Sequence, residues 1–529
     1  MKKTVLLTGI LSLTLGAVSI TGCTKRTMKN DEYTKDGRLI INFRNLYFDD
    51  YAGGDTYLSE LEKMMGISCK LESYNWNNWT TQVTGQVMAD TVPDVFHANI
   101  DSYNFASLYK FWAEEEVTKP LPDDLSKWPH VKEVIDNTTN VESLKLGGKL
   151  YGIPIAKNTT DFSTNFSPFT YIYRRDWAKQ YGVYQENDEY TWDQFKALLA
   201  KFNTELKSTD RFALGDVEWG YPSITNFYKQ VPHCFAQDAT GHYVNNYTTD
   251  AYIAGLEESK LFKDNGWYGY PQNTAMDGDL NKQYYSNKCG VLYENLSYSN
   301  FATLKQKLKG TNSENTSFNI DDATAIMKIK SPVDNKYALE GTDNWFSMTF
   351  FDFKISDKKM EKILDLYEWL LSEEGTKFAI FGIEGYDYVV EDGQIKLQED
   401  YWPKGTDGTY ARKDNGAKYL RYMVSLGYDT LKDDPLTDKD AVAYLENWEQ
   451  EMRTAQANGQ LRVLKENAEV MWLTTPQKAE FSGMLRTDAL ATVMNYTYGK
   501  ISGLDNYKKA FQTAKWTDVL NEINNTLGR

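Results

Sequence analysis

The sequence predicts an α/β protein that is divided into two or more lobes. The chain has 529 residues, a length at which a single hydrophobic core normally stops growing and the chain splits. Short apolar strand patterns alternate with amphipathic helix patterns, and this order is typical of a parallel sheet covered by helices. With 41% hydrophobic and 25% charged residues, the composition is sufficient for sizeable cores.

The first elements follow each other in that order. Residues 38–44 alternate apolar and polar side chains, which predicts a strand. A helical pattern follows and ends at Gly66, and residues 67–71 predict the second strand. Further short buried strands are predicted at 94–98 and 150–155, which extends the expected parallel sheet.

Three later helices have recognisable limits. Thr191 and Gln194 have the spacing of a capping box and predict a helix start. Residues 358–374 carry the strongest helical periodicity, and Gly375 predicts the end of that helix. Residues 506–527 predict a final amphipathic helix.

The N-terminal residues 1–22 predict a secretory signal peptide. Two lysines precede an apolar stretch from Val5 to Ile20, as in signals of this class. The following Thr21-Gly22-Cys23 resembles a bacterial lipobox, which implies that Cys23 is lipidated and becomes the mature N-terminus. Residues 23–37 are polar and predict a flexible tether.

A lipidated Cys23 would hold the protein at a membrane surface. Each buried methylene contributes about 0.8 kcal/mol, so two or more acyl chains give lasting attachment. The mean hydropathy of −0.58 and the lack of a later apolar run near twenty residues argue against a spanning body. We therefore expect an anchored protein, with palmitate or a similar acyl group, outside the cell membrane.

The charge and the cysteine and histidine patterns exclude several functions. A net charge of −16 without a basic stripe makes nucleic acid an unfavourable partner. Four histidines and four cysteines show neither HExxH nor CxxC spacing, so no metal and no cofactor is predicted. Beyond Cys23, an odd number of cysteines remains and allows at most one disulfide, for which Cys234 with Cys289 is the pair we name.

Aromatic residues are abundant and suit one ligand class. The 37 Tyr, 24 Phe and 14 Trp make 14% of the chain, and many Tyr and Trp lie in polar segments. Most of them should be packing residues. An exposed Tyr or Trp offers an apolar face with a polar edge, which matches the faces of sugar rings.

Ordered landmarks along the chain resemble one known family. They are Pro93-Asp94-Val95, Gly148–Pro154 (GKLYGIP), Tyr173–Gly182, Tyr190–Phe195, Phe262–Trp267, Asn287–Val291, Ser372–Gly375, Phe381–Tyr388 and Gly503–Tyr507. In this order they resemble the family 1 extracellular solute-binding proteins, specifically the large lipoproteins of carbohydrate ABC importers in Gram-positive bacteria. Cys289 departs from the family pattern, in which a small residue is more usual.

The resemblance implies a periplasmic-binding-protein-like fold with two α/β lobes, an interlobe hinge and a ligand cleft. It implies a first lobe of residues 38–156 and 330–405 and a second lobe of 157–329 and 406–529. The crossings are expected near 155–160, 322–332 and 400–412. The implied function is the capture of a carbohydrate, specifically an oligosaccharide, and its delivery to the permease subunits of an ABC importer. The protein is expected to be a monomer and not an enzyme.

In such sheets the ligand lies at the carboxyl ends of the strands, and the lobes close on it by a hinge motion. Sugar recognition combines aromatic faces with planar polar groups. Candidate ligand-binding residues that meet these conditions are Asn45, Trp76, Trp79, Asp101, Trp267, Glu294, Asn295, Asp343, Trp345 and Tyr386. Trp345 and Asp101 are the strongest of them, and Tyr268 is expected to extend the platform of Trp267. Arg175 and Asp176 could form a site pair, but Asp176 is also a favourable charge at a helix start and Arg175 can pair locally.

Two other functions stay open at this stage. A secreted glycoside hydrolase needs two carboxylates across a cleft, and acidic residues are abundant, although no nucleophile elbow, metal-ligand set or phosphate loop is present. The same fold can also bind another solute or serve as a sensor beside a histidine kinase. The charge of the binding site is the feature that separates neutral sugars from uronates.

Overall fold

The structure is a computed structural model that describes residues 28–51, 53, 55–75, 79–100, 106–157, 169–207, 210–216, 223–268, 279–398, 415–426 and 438–529. The predicted signal peptide, Cys23, Trp76, Asp101 and the predicted crossing at 400–412 lie outside these residues. Within the described ranges, none of the helices is both long and apolar enough to cross a bilayer.

The first half of the chain begins with alternating strands and helices. They are β1 (Leu39–Asn45), α1 (Thr56–Met65), β2 (Ile67–Ser73), α2 (Trp79–Met88), β3 (Val95–Ala98), α3 (Ala106–Glu114), α4 (Pro129–Asp136), α5 (Val141–Leu144) and β4 (Ile153–Ala156). The predicted strands at 38–44, 67–71, 94–98 and 150–155 are confirmed with small shifts of their ends. Gly66 ends α1 in the left-handed conformation, with φ of 64°, which glycine adopts at little cost.

The middle of the chain forms a second alternating series. Its elements are β5 (Phe169–Arg174), α6 (Arg175–Gln180), β6 (Glu189–Tyr190), α7 (Trp192–Leu206), β7 (Phe212–Gly215), β8 (Phe235–Gln237), β9 (Tyr243–Asn245), α8 (Asp250–Asp264), α9 (Asp279–Tyr285), β10 (Cys289–Asn295), α10 (Tyr298–Thr311), α11 (Ile320–Ala323) and β11 (Thr324–Ile329). The capping box of Thr191 and Gln194 is present at the start of α7.

The remaining elements return to both cores. They are β12 (Tyr337–Glu340), β13 (Trp345–Phe351), α12 (Asp357–Leu371), α13 (Glu373–Phe381), β14 (Tyr388–Glu391), β15 (Gln394–Leu397), α14 (Gly416–Arg421), α15 (Lys439–Ala457), β16 (Leu461–Leu464), α16 (Ala468–Met471), α17 (Pro476–Thr497), α18 (Leu504–Ala510) and α19 (Ala514–Thr526). Short 3-10 turns lie at 46–50, 186–188, 223–227 and 246–248.

Each lobe is built on a five-stranded sheet. The first has the order β2-β1-β3-β13-β4 and the second the order β6-β11-β5-β10-β7. Strand β13 runs antiparallel to β3 and β4, and β5 runs antiparallel to β10 and β11. The predicted α/β class is therefore observed, but each sheet is mixed, because one strand enters it from the opposite end.

The cores divide the chain differently from the predicted lobe bounds. Residues 417–424 pack in the first core, whereas the sequence places them in the second lobe. Strand β11 pairs within the second sheet. The chain therefore does not cross between the lobes at 322–332, as predicted, but later, at 341–344. There Lys157 N–H donates to the Asn344 carbonyl at 3.0 Å, and Ala156 N–H donates to that of Val424 at 3.1 Å. Three chain segments thus adjoin between the lobes.

The predicted tether is shorter than residues 23–37. Ile40 N–H donates to the Glu32 carbonyl at 2.9 Å, and Lys29 forms a 2.6 Å salt bridge with the buried Asp352. Folded structure therefore begins by residue 29, because backbone pairing and a buried carboxylate hold this segment on the first lobe.

Two helix limits differ from the prediction. Helix α12 ends before Ser372, whose hydroxyl caps α13 by accepting from Gly375 N–H at 3.2 Å. Gly375 is therefore part of the next helix, and a Cβ there would lie 1.8 Å from the Trp369 carbonyl oxygen. The predicted helix 506–527 is two helices, α18 and α19, which are separated at residues 511–513.

The predicted pairing of Cys234 with Cys289 is wrong. Cys289 lies with α9 and α10 in one cluster of the second lobe, and Cys234 lies with the C-terminal helices in another. Both are buried, and neither forms a disulfide. They act as small apolar side chains in separate cores.

Candidate functional site

The strand ends of the first sheet meet at one edge. The parallel strands β1 and β3 end at Asn45 and Ala98, β4 ends at Ala156, and the antiparallel β13 begins at Trp345. The candidate residues predicted from strand ends are therefore brought to a common edge. We call this edge, defined by Asn45, His97, Asn99, Trp345 and Ser347, the first-lobe edge.

Asn45 is an internal support of the first-lobe edge. Its side chain is fully buried, and its Oδ1 accepts from Tyr47 N–H at 3.1 Å and lies 2.6 Å from His97 Nδ1. The Tyr47 ring stacks on His97 with centroids 5.5 Å apart. Burial lowers the pKa of His97 to about 3, so its imidazole is neutral and Nδ1–H donates to Asn45.

A bulge at the start of β13 sets the direction of Trp345. The pairing of β13 with β4 shifts between Trp345 and Met348, and Ser347 has φ of 65°. Such a conformation costs roughly 1–3 kcal/mol for a residue with a Cβ and is found where function requires it. Ser347 Oγ donates to Asn99 Oδ1 at 3.1 Å, which holds the bulge against the end of β3. No feature of the sequence predicts this position.

Trp345 is at the predicted edge, but it is a core residue. Only 4% of it is exposed, and its Nε1–H donates to the Thr139 carbonyl at 3.2 Å. Its indole stacks with that of Trp472, with centroids 6.2 Å apart and planes 22° apart. Trp472 is partly buried against the same core. The ring nearer to the surface is therefore Trp472, which is not among the candidate residues predicted from the sequence.

Asp343 and Asn344 form hydrogen bonds that fix the segment in which the chain crosses between the lobes. Asp343 Oδ1 accepts from Thr139 Oγ1 at 2.9 Å and from Asn140 Nδ2 at 3.0 Å. Lys157 Nζ donates to the Asp343 carbonyl at 2.8 Å. Burial raises the pKa of Asp343 and lowers that of Lys157 to about 8, with each charge partly offsetting the effect on the other. Asp343 is thus occupied by hinge contacts, which supports a structural role for it.

The second sheet presents a cluster of phenols at its corresponding end. Asp216 follows β7, and the parallel register of β7 with β10, Gly215 opposite Leu292, brings Asp216 beside Tyr293. Tyr293 lies opposite Tyr171 with ring centroids 5.0 Å apart. Tyr268 OH donates to Asp216 Oδ2 at 3.5 Å. We call Tyr171, Asp216, Asn226, Tyr268 and Tyr293 the tyrosine cluster.

Hydrogen bonds fix the orientation of the tyrosine cluster. Asn226 Nδ2 donates to Tyr293 OH at 3.1 Å, and Tyr171 OH bonds to Ser223 Oγ. Burial, and then the negative charge of nearby carboxylates, raises the pKa of Tyr171, Tyr268 and Tyr293 well above the ordinary value. These hydroxyls therefore stay protonated. Tyr171 is a core residue, 2% exposed, whereas Tyr268 and Tyr293 are only partly buried and can serve as donors and acceptors towards a polyhydroxyl ligand.

Of the remaining predicted residues, some lie at the end of β10 and others pack in the two cores. Glu294 and Asn295 end β10 next to Tyr293, where Glu294 Oε1 accepts from Asn295 N–H at 2.8 Å. Trp267 and Trp79 are 8% and 6% exposed and pack in the second and first cores. Both tryptophans are therefore packing residues.

Tyr386 differs from those tryptophans. It is 53% exposed and lies beside Tyr57 at the start of α1. Arg175 pairs with Asp188, and Asp176 pairs with Arg174. Both follow the end of β5 that lies beside the start of β10, at the edge of the sheet away from the tyrosine cluster. Across the part of the chain that the structure describes, no group of three or more His, Cys, Asp or Glu side chains is arranged to hold a metal ion.

Most residues of the tyrosine cluster are not predictable from the sequence, for an identifiable reason. Tyr171 and Tyr293 lie in buried strands, where an aromatic side chain is normally interpreted as part of the core. Asp216 follows a strand of only four residues. The position of Asp216 at a strand end is the one signal that could have selected it.

Comparison with known proteins bears on the fold. No protein-family model matches the sequence, and no curated relative matches it. Solved structures do resemble it. One is the crystal structure of the alginate-binding protein AlgQ2 without calcium ion, at 14% identity and a TM-score of 0.67, covering 95% of this chain and 100% of that chain.

Two further solved structures resemble this chain to a similar extent. An HMO-binding ABC-transporter-associated solute-binding protein from Bifidobacterium longum infantis has 15% identity, a TM-score of 0.61 and coverage of 92% and 96%. The S. pneumoniae ABC-transporter substrate-binding protein FusA in complex with kestose has 14% identity, a TM-score of 0.60 and coverage of 92% and 98%. The predicted fold class is confirmed: the chain has the two-lobed α/β fold of solute-binding proteins.

Proposed function

We propose that this protein captures an oligosaccharide between its two lobes, without converting it, and delivers it to an ABC importer. The observation that carries the proposal is the chemistry of the strand-end region in each lobe. The first-lobe edge adjoins stacked indoles, and the second lobe presents the tyrosine cluster with its carboxylate and amide. Aromatic faces beside fixed planar polar groups are the combination that sugar rings require.

The resemblance to solved structures supports the same cargo. The three structures with this fold are described as binding alginate, as HMO-binding and as a complex with kestose. All three ligands are carbohydrates, and two of the proteins are described as associated with ABC transporters. Capture for import is therefore the function that best combines the fold with the residues at the strand ends.

Calorimetry against a panel of oligosaccharides tests the binding step. We expect at least one oligosaccharide to bind with 1:1 stoichiometry and to be recovered unchanged by chromatography. Tyr293→Ala should weaken that binding about tenfold or more, since loss of a buried aromatic anchor costs roughly 1–3 kcal/mol. Tyr33→Ala is the matched control, because Tyr33 is 45% exposed and pairs near the opposite end of β1. Catalytic turnover of the bound sugar would contradict the proposal.

Uptake separates import from the sensor alternative. In a strain that lacks the gene, entry of the labelled oligosaccharide should fall to background and return with the wild-type gene but not with the Tyr293→Ala variant. Unchanged uptake with lost transcriptional induction would instead support a sensor.

We propose that Cys23 carries the lipid that holds the protein outside the cell membrane. A short polar segment would then separate the acyl chains from the first lobe, since packing begins by residue 29. Metabolic labelling with a palmitate analogue should mark the wild-type protein and not Cys23→Ala. Release of the Cys23→Ala variant into the medium is the expected second result, and equal labelling of both proteins would contradict lipidation.

A further inference from the structure

The N-terminal residues of the first lobe fold back over the start of β1. Ile40 N–H donates to the Glu32 carbonyl at 2.9 Å, and Tyr33 pairs antiparallel with Leu39. We call residues 28–38 the N-terminal clasp. Its last residues are therefore fixed by backbone pairing with β1.

The first residues of the N-terminal clasp are held at the end of β13 and the start of α12. Lys29 N–H donates to the Lys354 carbonyl at 2.9 Å, and Lys29 Nζ forms a 2.6 Å salt bridge with the buried Asp352. Ser356 Oγ donates to the Asp31 carboxylate at 2.9 Å. Both ends of the clasp are thus attached to the first lobe.

The N-terminal clasp lies at the end of the sheet opposite the first-lobe edge. Strands β1 and β3 run towards that edge, whereas β13 begins there and ends at Phe351, opposite Val95 at the start of β3. Strand β1 has seven residues, so the two ends of the sheet are about 20 Å apart at about 3.3 Å per residue. The second lobe joins the first beside the first-lobe edge, where Lys157 N–H donates to the Asn344 carbonyl. The clasp and the second lobe therefore lie at opposite ends of the first sheet.

The N-terminal clasp limits the distance between the first lobe and Cys23. Six peptide units join Cys23 to Lys29, and a chain of that length spans at most about 22 Å in any conformation. If the chain first met the fold at Leu39, sixteen peptide units would span up to about 58 Å. A lipidated Cys23 would therefore keep Lys29 within about 22 Å of the bilayer only because the clasp is in place.

The exposed side of the N-terminal clasp suits contact with a lipid surface. Met28 is 50% exposed and Tyr33 is 45% exposed. Lys358 Nζ lies 5.3 Å from the centroid of the Tyr33 ring and donates to its hydroxyl at 2.9 Å. Tyrosine and lysine each combine an apolar body with a polar tip, and such side chains are favoured at the interface between a membrane and water. These side chains lie beside the point from which the chain leads to Cys23.

We infer that the N-terminal clasp holds this end of the first lobe against the bilayer in which Cys23 is anchored, with the second lobe on the side away from the membrane. The inference rests on the lipidation of Cys23 proposed above and adds the surface that faces the membrane. The first lobe is then the fixed lobe, and the second lobe moves relative to it and to the bilayer.

Energy transfer to a labelled bilayer tests this orientation. The lipidated full-length protein is inserted into vesicles of phosphatidylcholine and phosphatidylglycerol that contain a rhodamine-labelled lipid, and a donor dye is attached to one introduced cysteine. The variants are Asp357→Cys at the start of α12 and Asp210→Cys before β7, because these side chains are 92% and 71% exposed and each forms a salt bridge with a lysine. A Cys69→Ser background limits other labelling, since Cys234 and Cys289 are buried. Transfer from position 357 should be about twofold greater or more, because that position is nearer to the bilayer by at least the length of β1.

Two changes separate the first lobe from the anchor. A Gly-Ser insertion of about twelve residues between Cys23 and Lys29 extends the reach to about 65 Å and leaves the N-terminal clasp intact. Lys29→Glu places a like charge beside Asp352 and should release the clasp. Each change should lower the transfer from position 357 by about half, because the first lobe can then leave the bilayer. Lys29→Ala is the second variant, in case Lys29→Glu does not fold, and Lys35→Glu is the control, because Lys35 is an exposed residue of the same clasp.

The outcomes distinguish the orientation from the lipidation. Equal transfer from positions 357 and 210 in the membrane-bound protein would overturn the orientation and leave the lipidation intact. Unchanged transfer in the folded Lys29 variants would overturn the role of the N-terminal clasp, whatever the effect of the insertion. If the wild type binds the vesicles no better than Cys23→Ala, the proposed lipidation is contradicted and the orientation with it.

Discussion

The indole rings of Trp345 and Trp472 are stacked, with centroids 6.2 Å apart, although their chain segments belong to different lobes. Trp345 begins β13 in the first core, whereas Val470, two residues before Trp472, packs in the C-terminal cluster of the second lobe. The pair therefore joins the lobes beside the hinge strands. A change in the angle between the lobes should disturb this contact.

Replacement of Trp472 should affect both the ligand signal and the affinity. We expect ligand binding to change the tryptophan fluorescence and near-UV circular dichroism of the wild type, and this response should be largely lost in Trp472→Phe. Trp472→Ala should weaken oligosaccharide binding about tenfold, by loss of an anchor of roughly 1–3 kcal/mol. Trp369→Phe is the control, because Trp369 packs against Phe378 between α12 and α13. A full response in Trp472→Phe would exclude the stacked pair as its source.

Asn45 should contribute to stability more than to recognition. Asn45→Ala removes the acceptor of both Tyr47 N–H and His97 Nδ1–H, and a buried donor left without its partner costs about 1–3 kcal/mol. Chemical denaturation should show that loss. The exposed Asn447→Ala should stay within about 0.5 kcal/mol of the wild type. A large loss of affinity in Asn45→Ala without a loss of stability would return Asn45 to the set of ligand contacts.

The sequence predicts the positions of the strands better than it predicts the contacts of the residues at the strand ends. Periodicity located β1, because one of its faces is apolar, whereas β3 was predicted as a short buried strand after Pro93 and is buried on both faces. Gly66 located the end of α1, and capping chemistry located the start of α7. Asn45 and Trp345 were correctly assigned to strand ends, yet their burial depends on His97 and Trp472, which are distant in sequence. Local pattern carries no information about such partners.

The same limit applies to the lobe bounds and to the tyrosine cluster. The crossing at 341–344 is fixed by hydrogen bonds to residues 156–157 and by the pairing of β12 with β16. These are long-range contacts, which a local sequence pattern does not reveal. Tyr171 and Tyr293 look like core strand residues until the register of β5 with β10 places them together. Helix α12 was found by its periodicity, but its end was misplaced because Ser372 and Gly375 both resemble helix terminators.

Glu466 should make the stability of the second lobe depend on pH. Burial raises the pKa of this carboxyl from 4.5 to about 8, with an opposing effect from Lys229 and Arg486 and a reinforcing one from Glu340. Its Oε1 accepts from His233 N–H at 2.7 Å, and Lys478 is also close. In the unfolded chain the carboxyl ionises at its ordinary value. The stabilising effect of the protonated form is therefore complete below about pH 4.5 and is lost as the pH rises through about 8.

A Glu466→Gln variant isolates this titration, since glutamine keeps the acceptor for His233 and cannot ionise. The difference in free energy of unfolding between variant and wild type should shift in favour of the variant between pH 4.5 and 8, by on the order of 1–3 kcal/mol, and then level off. Denaturation curves at fixed ionic strength provide the measurement. The exposed Glu133→Gln should show no comparable shift, and a pH-independent difference for Glu466→Gln would disprove the buried titration.

Two glycines of the second lobe should respond to alanine in opposite directions. A Cβ on Gly290 in β10 would lie 2.5 Å from Phe202 Cδ2 and 3.1 Å from the Ala213 carbonyl oxygen, so Gly290→Ala must displace a packed ring of α7. Overpacking of this kind costs about 1–3 kcal/mol. A Cβ on Gly310 in α10 meets nothing within 4 Å, so Gly310→Ala should stabilise by about 0.5–1 kcal/mol through the lower entropy of the unfolded chain. Thermal and chemical unfolding of both variants should give these opposite signs, and destabilisation by Gly310→Ala equal to that by Gly290→Ala would show that the close packing of β10 on α7 is not the cause.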